Sequence, residues 1–214
     1  MKKIIPLILS FAVVFSFSAC KKSPERDETN VTDETTSAEA ITEETTIKEL
    51  SPLTLKEIDP AQVLVVYLNE REGTEEAAKA VAAGLNCDLF EIVPLEPYPE
   101  DETEKLERAQ NEYDDLLLPA LEGHVEDMSA YSVIVAVFPE FGGNMPMVVR
   151  TFMEDYDLRR TFVVPVCIAS ADGAGYAVEQ LRSLLSQTPV YDGITITPEE
   201  DIPAMIAALL DSEL

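Results

Sequence analysis

Three uninterrupted apolar, β-branched runs narrow what this chain can fold into more than any other feature. They are Val63-Leu64-Val65-Val66-Tyr67-Leu68, Val133-Ile134-Val135-Ala136-Val137-Phe138 and the segment from Phe162 to Ile168. A strand with one wet face alternates polar and apolar residues; an unbroken run belongs to a strand covered on both faces, as in a parallel sheet. Cys87–Val93 and Val190–Ile196 read as two further strands. Helical stretches lie between them. In Thr74–Leu85, Ala78, Val81, Ala82 and Leu85 fall at i, i+3, i+4 and i+7 and form one packing face. Glu102 to about Leu118 reads as an acidic helix, and Met145–Tyr156 as a helix with Pro146 in its first turn. A fourth helix follows Gly175 and runs to about Leu185. Thr197-Pro198-Glu199-Glu200 reads as a capping box opening a last helix to Leu210. Five strands alternating with five helices predict an α/β fold with a doubly wound, five-stranded parallel sheet over residues 61–214.

The N-terminal 60 residues follow different rules. Lys2 and Lys3 precede an apolar stretch, Ile4 to Phe17, too short to span a bilayer and suited to an export signal. Phe17-Ser18-Ala19-Cys20 resembles the lipobox of bacterial lipoproteins. The resemblance implies a signal peptide over residues 1–19, acylation of the Cys20 thiol and a membrane-anchored protein facing the extracytoplasmic side. Residues 20–60 are rich in Thr, Glu, Asp and Ser and show no apolar period, so the segment reads as a disordered acidic stalk. Asn30-Val31-Thr32 matches a glycosylation sequon, which carries little weight in a bacterial protein.

Charge excludes whole classes of partner. The formal net charge is −26, with 41 acidic residues against 15 basic. Nucleic acid is excluded as a natural partner because phosphate binding needs a basic patch, and docking on anionic headgroups is disfavoured for the same reason. Of the acidic residues, 11 lie in residues 20–60 and 30 in the domain. Catalytic sets are equally constrained. His124 is the only histidine and sits in an acidic connection, so no Ser-His-Asp set or Cys/His metal cluster is expected. No Gly-x-Gly-x-x-Gly follows the first strand, which weakens a nicotinamide dinucleotide reading. The glutamate runs lack the alternating oxygens of a calcium loop. Cys87 and Cys167 lie in or beside predicted strands and read as buried small hydrophobes.

In open parallel sheets, ligands bind beyond the carboxyl ends of the strands. The segments there are Asn69–Thr74, Pro139–Asn144 and Ala169–Gly175. The first combines Asn69, Gly73 and Thr74 with a positive Arg71, but it also carries Glu70 and Glu72. Thr74 reads either as a helix N-cap or as an anion ligand. A carboxylate about 5 Å from an anion, at an effective dielectric near 20, costs roughly 3 kcal/mol.

The domain resembles bacterial flavodoxin-like proteins, close to a subgroup of short-chain flavodoxins. The resemblance rests on Asp88-Leu89-Phe90-Glu91-Ile92 with Glu96-Pro97-Tyr98-Pro99, on Phe138-Pro139 with Gly143-Asn144-Met145-Pro146-Met147, and on Arg150-Thr151-Phe152 and Asp192-Gly193. It implies strand order 2-1-3-4-5, FMN at the strand tips, and electron transfer or reduction of a small acceptor through a partner of unknown identity. It further implies a phosphate loop of Asn69, Arg71, Gly73 and Thr74. Ring contacts would come from Pro139, Glu140, Phe141, Gly142, Gly143 and Asn144, with Phe141 as the stacking residue. Ala169, Ser170, Gly173 and Gly175 would face the flavin edge. The acidic phosphate loop and the absence of tryptophan motivate a second expectation: a flavin-free binding module on the same fold.

Overall fold

The computed structural model describes residues 53–214. The expected signal peptide, Cys20 and the stalk up to residue 52 lie outside the described residues. Within them the order is β1 (Val63–Tyr67), α1 (Thr74–Leu85), β2 (Asp88–Glu91), α2 (Glu102–Asp114), β3 (Val133–Pro139), α3 (Met147–Glu154), β4 (Phe162–Ile168), α4 (Ala177–Leu184), β5 (Ile194–Ile196) and α5 (Ile202–Asp211). The strands form one sheet of order β2-β1-β3-β4-β5, and every pair is parallel. This is the doubly wound α/β architecture that the strand pattern predicts.

Sheet pleat sorts the apolar runs into two cores. Leu64, Val66, Ile134, Ala136, Phe138, Val163 and Cys167 face Val148, Val149 and Phe152 of α3 and Leu181 of α4. Val63, Val65, Val133, Val135, Val137, Val164 and Val166 face Ala77, Ala78, Val81 and Leu85 of α1 and Ile206, Leu209 and Leu210 of α5. Successive side chains point to opposite faces, so a run without polar gaps is what two covered faces require.

The predicted boundaries move where local geometry overrides pattern. Helix α2 ends at Asp114 rather than near Leu118, because Leu116 takes a positive φ of 53° and turns the chain. Pro146 is the N-cap of α3, one residue outside the helix. The Thr197 box exists as an isolated turn: the Thr197 N–H and hydroxyl both donate to Glu200. Helix α5 starts later, capped by Asp201, which accepts from the Ala204 N–H at 3.0 Å, and carries its own proline in the first turn. β5 begins only at Ile194 because Gly193, at φ +63°, packs against the Pro165 carbonyl, where a Cβ would lie 1.9 Å from the oxygen.

The segment Leu53–Pro60, which composition assigns to the stalk, is joined to the domain. Thr54 bridges antiparallel to Glu213, the Leu214 N–H donates to the Leu53 carbonyl at 2.8 Å, and Lys56 pairs with Asp211. Leu55 is fully buried in the core under α1 and α5. One leucine in a polar segment has no period to betray it. Leu55→Ala is expected to cost about 2–5 kcal/mol, as large-to-small core changes do; urea unfolding of the purified chain measures this.

Candidate functional site

The loops after β1, β3 and β4 converge at the carboxyl edge of the sheet, and one side chain ties them together. Glu140, directly after β3, is only 2% exposed. Its Oε1 lies 3.1 Å from Nη2 of Arg71 in the loop after β1, and the same nitrogen donates to the Glu140 carbonyl at 2.9 Å. The Ser170 N–H, in the loop after β4, donates to Oε1 at 3.1 Å. The Gly143 N–H donates to Oε2. A buried carboxylate survives only when paired and hydrogen-bonded, and here each donor comes from a different stretch of loop.

The β3 and β4 loops also touch through their backbones. The Tyr176 N–H donates to the Gly143 carbonyl at 2.7 Å, and a Cβ on Gly175 would lie 2.6 Å from that oxygen. Only glycine permits this approach. Phe141 and Asn144 exchange backbone hydrogen bonds of 2.8 and 3.0 Å, closing a turn around Gly142 and Gly143, both at positive φ. Asn144 Oδ1 accepts from Gln180. Pro139 ends β3 opposite Ile168, and Ala169 is buried, its N–H donating to the Ile196 carbonyl. Gly173 closes the β4 loop by donating to the Ser170 carbonyl at 2.9 Å.

Phe141, expected to stack on a ligand ring, is turned into the core. It is 4% exposed and meets Tyr98 edge-on, with centroids 5.3 Å apart. Tyr98 is itself fixed: its hydroxyl donates to the buried Glu112 at 2.6 Å, and the Arg108 guanidinium lies 4.4 Å over its ring. Burial, together with that hydrogen bond, pushes the Tyr98 hydroxyl well above the usual phenol range. An aromatic that does stay at the surface here is Tyr176, 74% exposed and following Gly175. The sequence reading missed it, although an aromatic directly after a glycine-rich loop is a usable signal.

At the start of α1, Gly73 takes φ +86° and occupies the N-cap, so no side chain caps the helix. Thr74 is therefore the first helical residue rather than a cap. It is fully buried and its hydroxyl has no hydrogen-bond partner. The first-turn N–H groups of a helix lack intrahelical acceptors, and the helix dipole adds positive potential there. Asn69 stays exposed in a cavity of 440 Å³ that Arg71, Gly73 and Lys105 also line. Glu70, Glu72, Glu75 and Glu76 line it too. They differ in what they meet. Lys105 Nζ lies 3.1 Å from the Glu70 carboxylate and donates to its carbonyl at 2.9 Å, whereas Glu72 is exposed. Glu75 is paired with Lys79 and Glu76 is exposed, so the repulsion expected from these carboxylates is reduced: two are paired and two are screened by water.

This arrangement defines an open, doubly wound α/β protein with a strand-tip site that joins an anion-suited helix start to two glycine-rich loops. The flavodoxin family model matches residues 62–201, and the chain belongs to that family. Among solved structures, it is similar to a proposed flavoprotein of Bacteroides eggerthii, at 25% identity, covering 69% of this chain and 95% of that one with a TM-score of 0.62. A proposed flavoprotein of Bacteroides uniformis matches at 22% identity over 71% and 99%, with a TM-score of 0.64. A Lactobacillus acidophilus flavoprotein in complex with FMN matches at 15% identity over 64% and 92%, with a TM-score of 0.55. No curated protein matches.

Cys167 lies beneath the site. Burial, and secondarily the Glu140 charge, push its thiol up to about 12. Cys87 is also free, and β1 and β3 separate the two cysteine-bearing stretches. Because the raised value keeps the thiol neutral and protonated near pH 8, Ellman's reagent at that pH should leave Cys167 unmodified in the native protein. Reaction is expected only once guanidinium unfolds the chain.

Proposed function

We propose that the domain is an FMN-binding, short-chain flavodoxin carried on a lipid anchor at Cys20, facing the extracytoplasmic side and serving electron transfer or reduction of a small acceptor. The observation that carries the flavin reading is the Thr74 hydroxyl, fully buried without a partner at the start of α1. Leaving such a group unpaired costs about 1–3 kcal/mol, which a ligand oxygen would recover. A helix N-terminus entered through a positive-φ glycine is a natural phosphate seat. There the Thr74 hydroxyl and the first-turn N–H groups would donate to phosphate oxygens, with Arg71 supplying charge. Gly142 and Gly173, with open space where a Cβ would stand, leave backbone open to a flat ring, and the exposed Tyr176 offers it a face. The redox chemistry would be the flavin's own; the protein's part is to bind, orient and shield.

A second reading, a flavin-free binding module, is favoured by Glu140, whose carboxylate already occupies donors from all three loops. Titration of the purified full chain with FMN, followed by quenching of flavin fluorescence, separates the two. Saturable binding is expected, with Thr74→Val weakening it by roughly 10- to 150-fold, the range for losing a hydrogen bond to a charged group. No quenching and no thermal stabilisation at millimolar FMN would leave the module reading. The anchor is tested separately. Cells expressing the full chain should incorporate labelled palmitate into the protein, and Cys20→Ala should abolish that label and release the protein from the membrane.

A further inference from the structure

Glu140, which the family resemblance implies as a ring contact, is the most fully committed ionisable group at the strand tips: it is buried and its carboxylate is held by donors from all three loops. Its charge lies near enough to the buried Cys167 to help push that thiol up. Its two oxygens take the Gly143 N–H, the Ser170 N–H and one nitrogen of Arg71, while the Glu140 carbonyl takes that same nitrogen again. These donors are the positive features that the three loops bring to this edge. Three residues beyond Arg71, Thr74 is left with a buried hydroxyl that nothing satisfies. The loops therefore spend their donors on an internal anion while the helix start beside them has an unmet need for an external one.

We propose that Glu140 is a built-in competitor of the anionic ligand at the strand-tip site, and so the residue that sets its affinity. An incoming phosphate and the Glu140 carboxylate draw on the same guanidinium. Two negative charges that share one positive group in a partly desolvated cleft oppose each other. Binding then either draws Arg71 from Glu140 or sets two anions on one guanidinium, and in both cases the Glu140 charge is subtracted from the affinity for the ligand. Arg71 keeps some solvent access, its side chain being 22% exposed, so it has room to turn. This inference rests on the anion-binding reading of the α1 start, and its test distinguishes the two failures.

Purified full chain, Glu140→Gln and Glu140→Leu are each titrated with FMN and with inorganic phosphate, after circular dichroism and melting curves establish which variants are folded. Gln keeps the shape and an acceptor for Arg71; Leu suits a buried position if an amide there is not tolerated. Removing the competing charge is expected to tighten binding of FMN, phosphate or both by tenfold or more. Unchanged or weaker binding of both probes in the folded variants overturns the proposal. If the unaltered chain ignores FMN while a variant takes it up, the competitor role stands and the flavin reading of the natural protein fails. If the unaltered chain binds FMN and the variants bind it and phosphate no better, the flavin reading stands and the competitor role fails.

Discussion

A parallel sheet must be covered on both faces, and most of this architecture follows from that requirement. β1, β3 and β4 are buried along nearly their whole length, so helices must return on either side to supply cover. Each right-handed crossover then delivers the chain to the same edge of the sheet. The site is a by-product of that packing. Loops that leave β1, β3 and β4 have to pass one another where the winding reverses, and their backbone N–H groups need acceptors there. Glu140 supplies acceptors to the last two loops and a counter-charge to the first.

Supports of different kinds hold this edge in place. Phe141 anchors the β3 loop against Tyr98, which Glu112 and Arg108 hold to α2. Gly175 permits the backbone contact between the β3 and β4 loops. Lys105, reaching back from α2, neutralises the carboxylate of Glu70 beside the helix start. Helix α2 thereby braces two of the three loops. The charge of −26 is thus organised near the site: the acidic residues there are mostly paired, and the exposed remainder faces solvent.

Much of the fold was legible in the residues. Five strands, five helices and their order follow from unbroken apolar runs alternating with helical periods, because burial on two faces leaves a pattern that local reading detects. The edges were less legible. The apolar pattern counts Val190 into a strand that Gly193 interrupts, and composition assigns Leu55 to a stalk although it fills the core. Both errors come from contacts between residues far apart in the chain, which no window of neighbours contains. The site divides the same way. The three loops and their glycines were identified from position, and Thr74 was marked as one of two alternatives. Phe141 was assigned to a ligand because aromatic residues in such loops can face either way, and the Tyr98 ring that draws it inward is more than 40 residues earlier.

The sequence by itself determined the class of fold, the edge of the sheet where the loops after β1, β3 and β4 gather, and the family to which the chain belongs. These depend on periodicity and on loops at fixed positions between strands. Only the tertiary structure decided what each charge in those loops does. Glu70, Glu72 and Glu140 look alike in the sequence as carboxylates in the loops after β1 and β3. Folding pairs the first with Lys105, leaves the second in water and buries the third against Arg71. The energy of a charge is set by its burial and its nearest counter-charge, and both are properties of the packed chain.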